Sequence, residues 1–105
     1  KFLPSAYGTL MSANDAQFLT HLMSQVVEIG TGSAMRGASY TVAGKTGSAE
    51  FETGKETHSW FVGFAPADKP KVAICVLAEE SGSGGAVAAP IARQVLDRYF
   101  AKYGQ

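Results

Sequence analysis

The feature that most constrains the fold is a central stretch of three strand-like segments separated by short turns. Residues 40–51, 59–64 and 71–78 are rich in apolar, aromatic and β-branched side chains, and the segments between them carry turn-forming glycine, proline and polar residues. Parallel strands need a crossover of about a dozen residues or more, whereas antiparallel strands can be joined by a tight turn. The sequence therefore predicts a three-stranded antiparallel meander.

Apolar residues at helical spacing lie on both sides of this meander. The first set is Phe18, Leu19, Leu22, Met23, Val26 and Val27, and the second is Val87, Ile91, Val95, Leu96, Tyr99, Phe100 and Tyr103. Ser12 is a favourable N-cap and Gly30 a natural stop, which predicts a first helix over residues 13–29. Proline is tolerated only in the first turn of a helix, so Pro90 places the start of the second helix near Val87. The predicted fold class is α+β, a three-stranded antiparallel sheet with flanking helices in one domain over residues 1–105.

Composition excludes several classes of function. Nine basic residues balance nine acidic ones among the 105 residues, so no strong field attracts nucleic acid or anionic lipid. Cys75 is the only cysteine, which excludes an internal disulfide and a thiolate zinc cluster. The apolar neighbours of Cys75 predict that it is a small core residue. No apolar run is long enough to span a bilayer.

The segment Ala-Gly-Lys-Thr-Gly-Ser at residues 43–48 invites two interpretations. A phosphate-binding loop requires a glycine five residues before Gly44, where the chain has Ser39. Such a loop also leads into a helix, whereas strand-like sequence continues here to residue 51. We therefore reject the phosphate-loop interpretation.

The second interpretation is the Lys-Thr-Gly triplet of penicillin-binding proteins and serine β-lactamases. Three flanking segments, residues 28–34, 59–66 and 85–90, resemble in order those around this triplet in class B penicillin-binding proteins. From Ser12 onward the chain thus resembles the C-terminal part of their transpeptidase domain. The resemblance implies a fragment of the β-lactamase-like fold, to which the full domain adds two strands and a helical region.

The chemistry of residues 45–48 agrees with this resemblance. A ligand with a C-terminal carboxylate needs a cation and a hydroxyl, which Lys45 and Thr46 offer, and an edge strand can pair with an extended peptide. The resemblance implies that Lys45 supports proton transfer, that Thr46 and the Ser48 hydroxyl hold the carboxylate, and that the Ser48 N–H forms half of an oxyanion hole. Gly47 leaves space for a neighbouring element. Without the flanking segments, a solvated lysine in an ordinary strand is the simpler interpretation.

The family's Ser-x-x-Lys motif, which supplies the nucleophile, is the main departure. None of the serines in the chain has a lysine three residues later. Ser12-Ala13-Asn14 fits the family's Ser-x-Asn pattern, but it lies too close to Lys45 and is better explained as a helix N-cap. We therefore expect the nucleophile upstream of this chain, and we expect the fragment to be inactive alone.

The resemblance implies a parent enzyme that cross-links peptidoglycan stem peptides through a serine acyl-enzyme and is inhibited covalently by β-lactams. It implies an extracytoplasmic location, a tether formed by an N-terminal helix, and no metal or organic cofactor. The expected partners are the stem peptide, β-lactams and the remainder of the domain, and the fragment is expected to self-associate through an unpaired strand edge. The alternative is a non-catalytic module that binds a peptide or assists assembly. A β-lactamase or β-lactam sensor matches the flanks less well.

Other candidate residues have simpler explanations. His21 and His58 have no metal-ligating neighbours in sequence and are expected at a helix margin and at a strand start. Residues 82–85 lack the complete dinucleotide-binding fingerprint and are predicted to be a loop. Because side chains alternate along a strand, one of Trp60 and Phe61 is expected in the core.

Overall fold

The computed structural model describes residues 3–50, 52–54, 57–80 and 82–104. Helix α1 (Ala13–Ile29) is followed by a 3-10 turn (Ser33–Met35) and by strands β1 (Ala43–Ala49), β2 (His58–Ala65) and β3 (Val72–Ala78). A π-helical turn (Gly84–Ala88) then leads into helix α2 (Ala89–Tyr103). The strands form one antiparallel sheet in the order β1-β2-β3. The predicted meander with flanking helices is confirmed.

Helix α1 has the limits that its sequence signals predict. The Ser12 side chain accepts a hydrogen bond from the Asp15 N–H at 3.1 Å, and the Gly30 N–H donates to the Val26 carbonyl oxygen at 3.1 Å. Gly30 has an extended backbone with φ −120°, so a left-handed turn is not the reason for glycine there. A Cβ on Gly30 would lie 3.0 Å from the Val26 carbonyl oxygen, so glycine supplies space.

The core lies between α2 and one face of the sheet. Thr46, Phe61 and Val76 are opposite one another in the register of the three strands, and they share this face. Phe61 is completely buried at its centre. The buried apolar cluster comprises Val27, Met35, Tyr40, Val42, Phe61, Ala65, Ala88, Ala89, Ala92, Leu96 and Phe100.

Strand β3 lies at an edge of this sheet. Its nearly continuous apolar composition is typical of a strand with neighbours on both sides, but β2 is the middle strand, and β3 pairs with β2 alone in the described part of the chain. Side chains of β3 alternate between half-buried and exposed positions. Cys75 is exposed on the face opposite Phe61, so its predicted place in the core is wrong. An apolar sequence does not reveal which neighbours cover it.

Helix α2 packs through Leu96 and Phe100 of the predicted stripe and through two alanines outside it. It begins at Ala89, two residues later than expected, and it buries Ala89, Ala92, Leu96 and Phe100. Ile91 and Val95 of the predicted stripe remain 42% and 51% exposed. Small alanine side chains let the helix lie close to the sheet, and this contact selects the buried face. Pro90 lies in the first turn of α2, as predicted.

The remaining limits of the strands differ slightly from prediction. Strand β1 covers residues 43–49 and not 40–51, although Tyr40 and Val42 before it are buried. Phe51, at the predicted end, lies outside the described residues. Within the described ranges, no helix has both the length and the apolar character needed to cross a bilayer.

Candidate functional site

The four residues predicted to act at a site line one open groove of about 520 Å³ at the β1 edge of the sheet. Strand β1 supplies Lys45, Thr46, Gly47 and Ser48. The segment after α1 and the segment leading into α2 supply the other walls, with Thr31, Ser33, Ser83, Gly85 and Ala86. Three segments that are distant in sequence therefore meet at the groove.

Lys45 and Thr46 reach this groove from opposite faces of β1. Thr46 lies on the core face and is 6% exposed, whereas the Lys45 side chain is exposed on the other face. The Lys45 ammonium donates a hydrogen bond to the carbonyl oxygen of Thr46, which holds the cation beside the strand. A cation and a hydroxyl thus border the same groove from two sides of one strand.

The Thr46 hydroxyl has a partner that the sequence prediction did not assign. The Oγ1 atoms of Thr31 and Thr46 are 2.5 Å apart and share a hydrogen bond. Thr31 lies in the segment 28–34 that carries part of the family resemblance, but its pairing with Thr46 depends on contacts across the fold. The flanking segment was the available signal, and it indicated no role for this side chain.

The opposite wall of the groove is fixed to the sheet by Ser59. This residue of β2 is completely buried, and its hydroxyl donates to the Ser83 carbonyl oxygen at 2.8 Å and accepts from the Ala88 N–H at 3.1 Å. Thr57 adds a hydrogen bond from its hydroxyl to the Gly82 carbonyl oxygen at 2.9 Å. Residues 82–85 were predicted to be a loop, yet the π-helical turn begins within them, and Gly85 lines the groove.

The segment between α1 and β1 is held by a polar cluster on α2. The Arg93 guanidinium donates to the carbonyl oxygens of Ala34 at 3.1 Å and Arg36 at 3.0 Å, and it pairs with Asp97 at 3.0 Å. The Tyr40 hydroxyl donates to Asp97 Oδ1 at 2.6 Å. This hydrogen bond, followed by Arg93, holds the pKa of Asp97 below its usual range. Burial, then the bond to Asp97, raises the pKa of Tyr40 well above its ordinary value.

The other candidate residues lie away from the groove. His21 is exposed on α1, and His58 begins β2, where its Nδ1 accepts the Glu80 N–H at 3.1 Å. Phe61 is the member of its pair with Trp60 that enters the core. Among the residues with described positions, no three histidine, cysteine or acidic side chains gather into a metal site.

A second hollow, of about 400 Å³, has a mostly apolar lining. It lies between Met23 of α1 and strands β2 and β3, and its described lining has no charged side chain. The β1 groove, by contrast, combines a lysine with several hydroxyls. Carboxylates accept hydrogen bonds but donate none when ionised, so a groove of donors beside a cation suits a carboxylate ligand.

Comparison with known proteins gives a consistent result. Residues 5–97 match the model of the penicillin-binding protein transpeptidase domain. The peptidoglycan D,D-transpeptidase MrdA of Haemophilus influenzae is 40% identical over 85 residues, which are 67% of this chain and 13% of that protein. The chain thus spans a small part of this curated relative.

Solved structures show the same likeness. The D,D-transpeptidase domain of a peptidoglycan glycosyltransferase from Eggerthella lenta superposes with a TM-score of 0.79 at 33% identity, covering 98% of this chain and 24% of that one. Penicillin-binding protein A of M. tuberculosis, solved as a ceftriaxone acyl-enzyme complex, gives a TM-score of 0.71 at 39% identity, covering 80% of this chain and 20% of that one.

Proposed function

This chain belongs to the penicillin-binding protein transpeptidase family, and we propose that it forms one wall of the active site of a peptidoglycan D,D-transpeptidase. Residues 1–105 are assigned to the C-terminal portion of a single transpeptidase domain. The observation that carries the proposal is the β1 groove, where Lys45, Thr46, Gly47 and Ser48 lie together at the sheet edge.

In the proposed reaction, a serine Oγ adds to a carbonyl of one stem peptide and the amine of the terminal residue leaves with a proton. The amine of a second stem peptide then displaces the serine and forms the cross-link. Lys45 stabilises negative charge and supports proton transfer, and the hydroxyls of Thr46 and Ser48 hold the terminal carboxylate. The Ser48 N–H is assigned to half of the oxyanion hole, where donors act on charge that develops in the transition state. Gly47 leaves the strand open to the ligand.

The nucleophile in this proposal comes from outside these residues, because the sequence has no Ser-x-x-Lys. A β-lactam mimics the acyl donor, and the ceftriaxone acyl-enzyme of the M. tuberculosis relative supports its assignment as a covalent ligand here. We place the whole protein at the extracytoplasmic face of the membrane, where its substrate lies, with an N-terminal helix as its tether.

A non-catalytic role is the second candidate, and the position of β1 at an edge of the sheet is the observation that favours it. The same groove and strand edge can bind an extended peptide through backbone hydrogen bonds without any acyl transfer. A protein of this kind binds stem peptides or partner chains and forms no covalent adduct with a β-lactam.

Acylation of the full-length protein by a β-lactam tests the proposal. We expect Lys45→Ala to slow acylation by about a hundredfold, the scale on which loss of a transition-state contact acts. We expect Thr46→Val to weaken recognition of carboxylate-bearing ligands instead. Intact-mass spectrometry over a time course measures both, and Lys69→Ala, in the exposed turn between β2 and β3, is the matched control.

The 105-residue chain alone serves as a second control. It is expected to form no covalent penicillin adduct, since the nucleophile is absent. Unchanged acylation kinetics in Lys45→Ala would contradict the assigned role of the groove. A stoichiometric adduct on the isolated chain would show that the nucleophile has been misplaced.

A further inference from the structure

The hydroxyl of Thr31 is placed to orient the hydroxyl of Thr46. The two Oγ1 atoms are 2.5 Å apart, and both residues line the β1 groove. Thr46 is 6% exposed as a whole residue, and its side chain still lines the groove. We propose that Thr31 is a positioning residue for ligand carboxylates, acting through Thr46; this inference rests on the proposed function.

Thr31 is held in place by two neighbouring elements. On one side, the Gly30 and Gly32 N–H groups both donate to the Val26 carbonyl oxygen, at 3.1 Å and 3.0 Å, and this fixes the turn that carries Thr31. On the other side, a Cβ on Gly85 would lie 2.5 Å from the Thr31 carbonyl oxygen, so the turn before α2 packs directly against the Thr31 backbone. The Thr31 side chain is therefore presented to β1 by a constrained backbone.

The hydrogen-bonding capacity of the two hydroxyls determines which ligand groups can bind to them. A threonine hydroxyl has one donor and two acceptor lone pairs, and an ionised carboxylate has acceptors only. When Thr46 donates to a carboxylate, its oxygen can still accept from Thr31. The resulting chain runs from the Thr31 hydroxyl to the Thr46 hydroxyl to the carboxylate, and each bond in such a chain polarises the next.

Loss of the Thr31 hydroxyl has a specific consequence in this arrangement. The Thr46 hydroxyl loses the partner that directs it, and its bond to the carboxylate is no longer reinforced. Ligands without a free carboxylate make no such bond, so their rate constants of acylation should not depend on Thr31. A merely structural role for Thr31 would affect both kinds of ligand equally.

The test uses the full-length protein with benzylpenicillin and its methyl ester. We expect Thr31→Ala to lower the second-order rate constant of acylation by benzylpenicillin by up to about tenfold, the upper end of the scale for loss of a hydrogen bond between neutral groups. The rate constant for the methyl ester should stay unchanged. Thr31→Ser retains the hydroxyl and should restore the rate for benzylpenicillin. Thr20→Ala, which removes a hydroxyl on α1 that donates to the Ala16 carbonyl oxygen, is the matched control.

The outcomes separate this inference from the proposed function. An equal loss of rate with both ligands, no loss with benzylpenicillin, or failure of Thr31→Ser to restore the rate would overturn the role of Thr31. If Thr31→Ala does not fold, Thr31→Val with the same two ligands decides in its place. If Lys45→Ala slows acylation by benzylpenicillin while Thr31→Ala leaves the rate constant unchanged, only the inference about Thr31 is overturned. A wild-type protein that forms no adduct removes the proposed function, and the inference with it.

Discussion

Two glycines on β1, three residues apart, serve different purposes. A Cβ on Gly44 would lie 2.4 Å from Cζ of Phe61, so glycine is needed there for the buried ring to lie against the strand. Gly63, opposite Gly44, has a similar environment, because its Cβ would lie 2.9 Å from Cε2 of the same ring. Gly47 is different, since its Cβ would meet Trp60 Cβ at 3.7 Å, an ordinary contact. The core requires Gly44, whereas the described packing leaves Gly47 open towards the groove.

This difference predicts unequal effects on stability. Gly44→Ala should lower the free energy of unfolding by about 2 kcal/mol, because overpacking a well-filled core forces rings and backbone to shift. Gly47→Ala should change it by less than about 1 kcal/mol, since the added methyl group meets no close neighbour. Urea denaturation measures both variants under the same conditions. Equal destabilisation by the two substitutions would show that the Phe61 ring moves without cost.

At the scale of secondary-structure elements, α2 fixes both side walls of the groove. The π-helical turn that leads into it is tied to β2 through the bond from the Ala88 N–H to the buried Ser59 hydroxyl. One turn further along, Arg93 donates to the carbonyl oxygens of Ala34 and Arg36, in the segment that follows Thr31. The planar guanidinium can serve two carbonyl groups and Asp97 together, which a lysine ammonium on a flexible stem does not reproduce. Helix α2 therefore sets the position of Thr31 relative to β1.

Arg93→Lys should therefore destabilise the fold by about 1–2 kcal/mol, as two hydrogen bonds to backbone carbonyls lose their geometry. Arg98→Lys, an exposed arginine on the same helix, is the matched control and should change stability by less than about 0.5 kcal/mol. Thermal and urea unfolding measure the difference. Equal stability of the two variants would mean that residues 34–36 keep their position without the hydrogen bonds from Arg93.

The difference in stability between wild type and Arg93→Lys should depend on pH, because Asp97, the partner of Arg93, is titratable. Its pKa is lower in the folded protein, so its favourable contacts contribute stability above the unfolded value of about 4. That contribution is lost as pH falls through the folded pKa, where the carboxylate becomes neutral. The stability difference between wild type and Arg93→Lys should accordingly narrow as pH falls below about 4. A difference that stays constant over this range would exclude a contribution from the ion pair.

The described part of the molecule leaves a patch of one sheet face and one strand edge exposed. The outer face, which we define as Lys45, Val62, Ala73, Cys75 and Leu77, is exposed opposite the core. In the described part of the chain, β3 has β2 as its only partner strand. An apolar strand at a sheet edge is a template for pairing with another chain. The family relationship offers a reason why these surfaces are exposed. The chain covers 24% of a related solved structure, so most of that structure has no counterpart in these residues.

We therefore expect the 105-residue chain to self-associate through β3 as its concentration rises. Leu77→Lys should reduce association, because a charge beside a strand edge opposes edge-to-edge pairing. Ile91→Lys is the control, since Ile91 on α2 is 42% exposed and Leu77 46% exposed. Light scattering over a concentration series measures the mass. A chain that stays monomeric throughout, with the β3 amides protected from hydrogen exchange, would contradict the expectation.

Local signals in the sequence determined the elements and their order. Ser12 and Gly30 act on backbone groups three and four residues away, so both ends of α1 were predicted correctly. Short connections settled the antiparallel meander, since a crossover does not fit between the strands. The Lys45-Thr46-Gly47 triplet with its flanking segments indicated the family, and the match of residues 5–97 confirms it. The roles of residues 45–48 stay a prediction.

Only the tertiary structure decided which faces are covered and which side chains meet. Cys75 is as apolar in sequence context as a core residue, yet it is exposed on the sheet face opposite Phe61. Helix α2 buries alanines and leaves Ile91 exposed, because close approach to the sheet selects small side chains. The Thr31–Thr46 pair joins residues 15 apart in sequence, and Arg93 reaches a carbonyl 59 residues away. Such contacts depend on how the elements pack, and the periodicity of one segment carries no information about the surface that another segment presents to it.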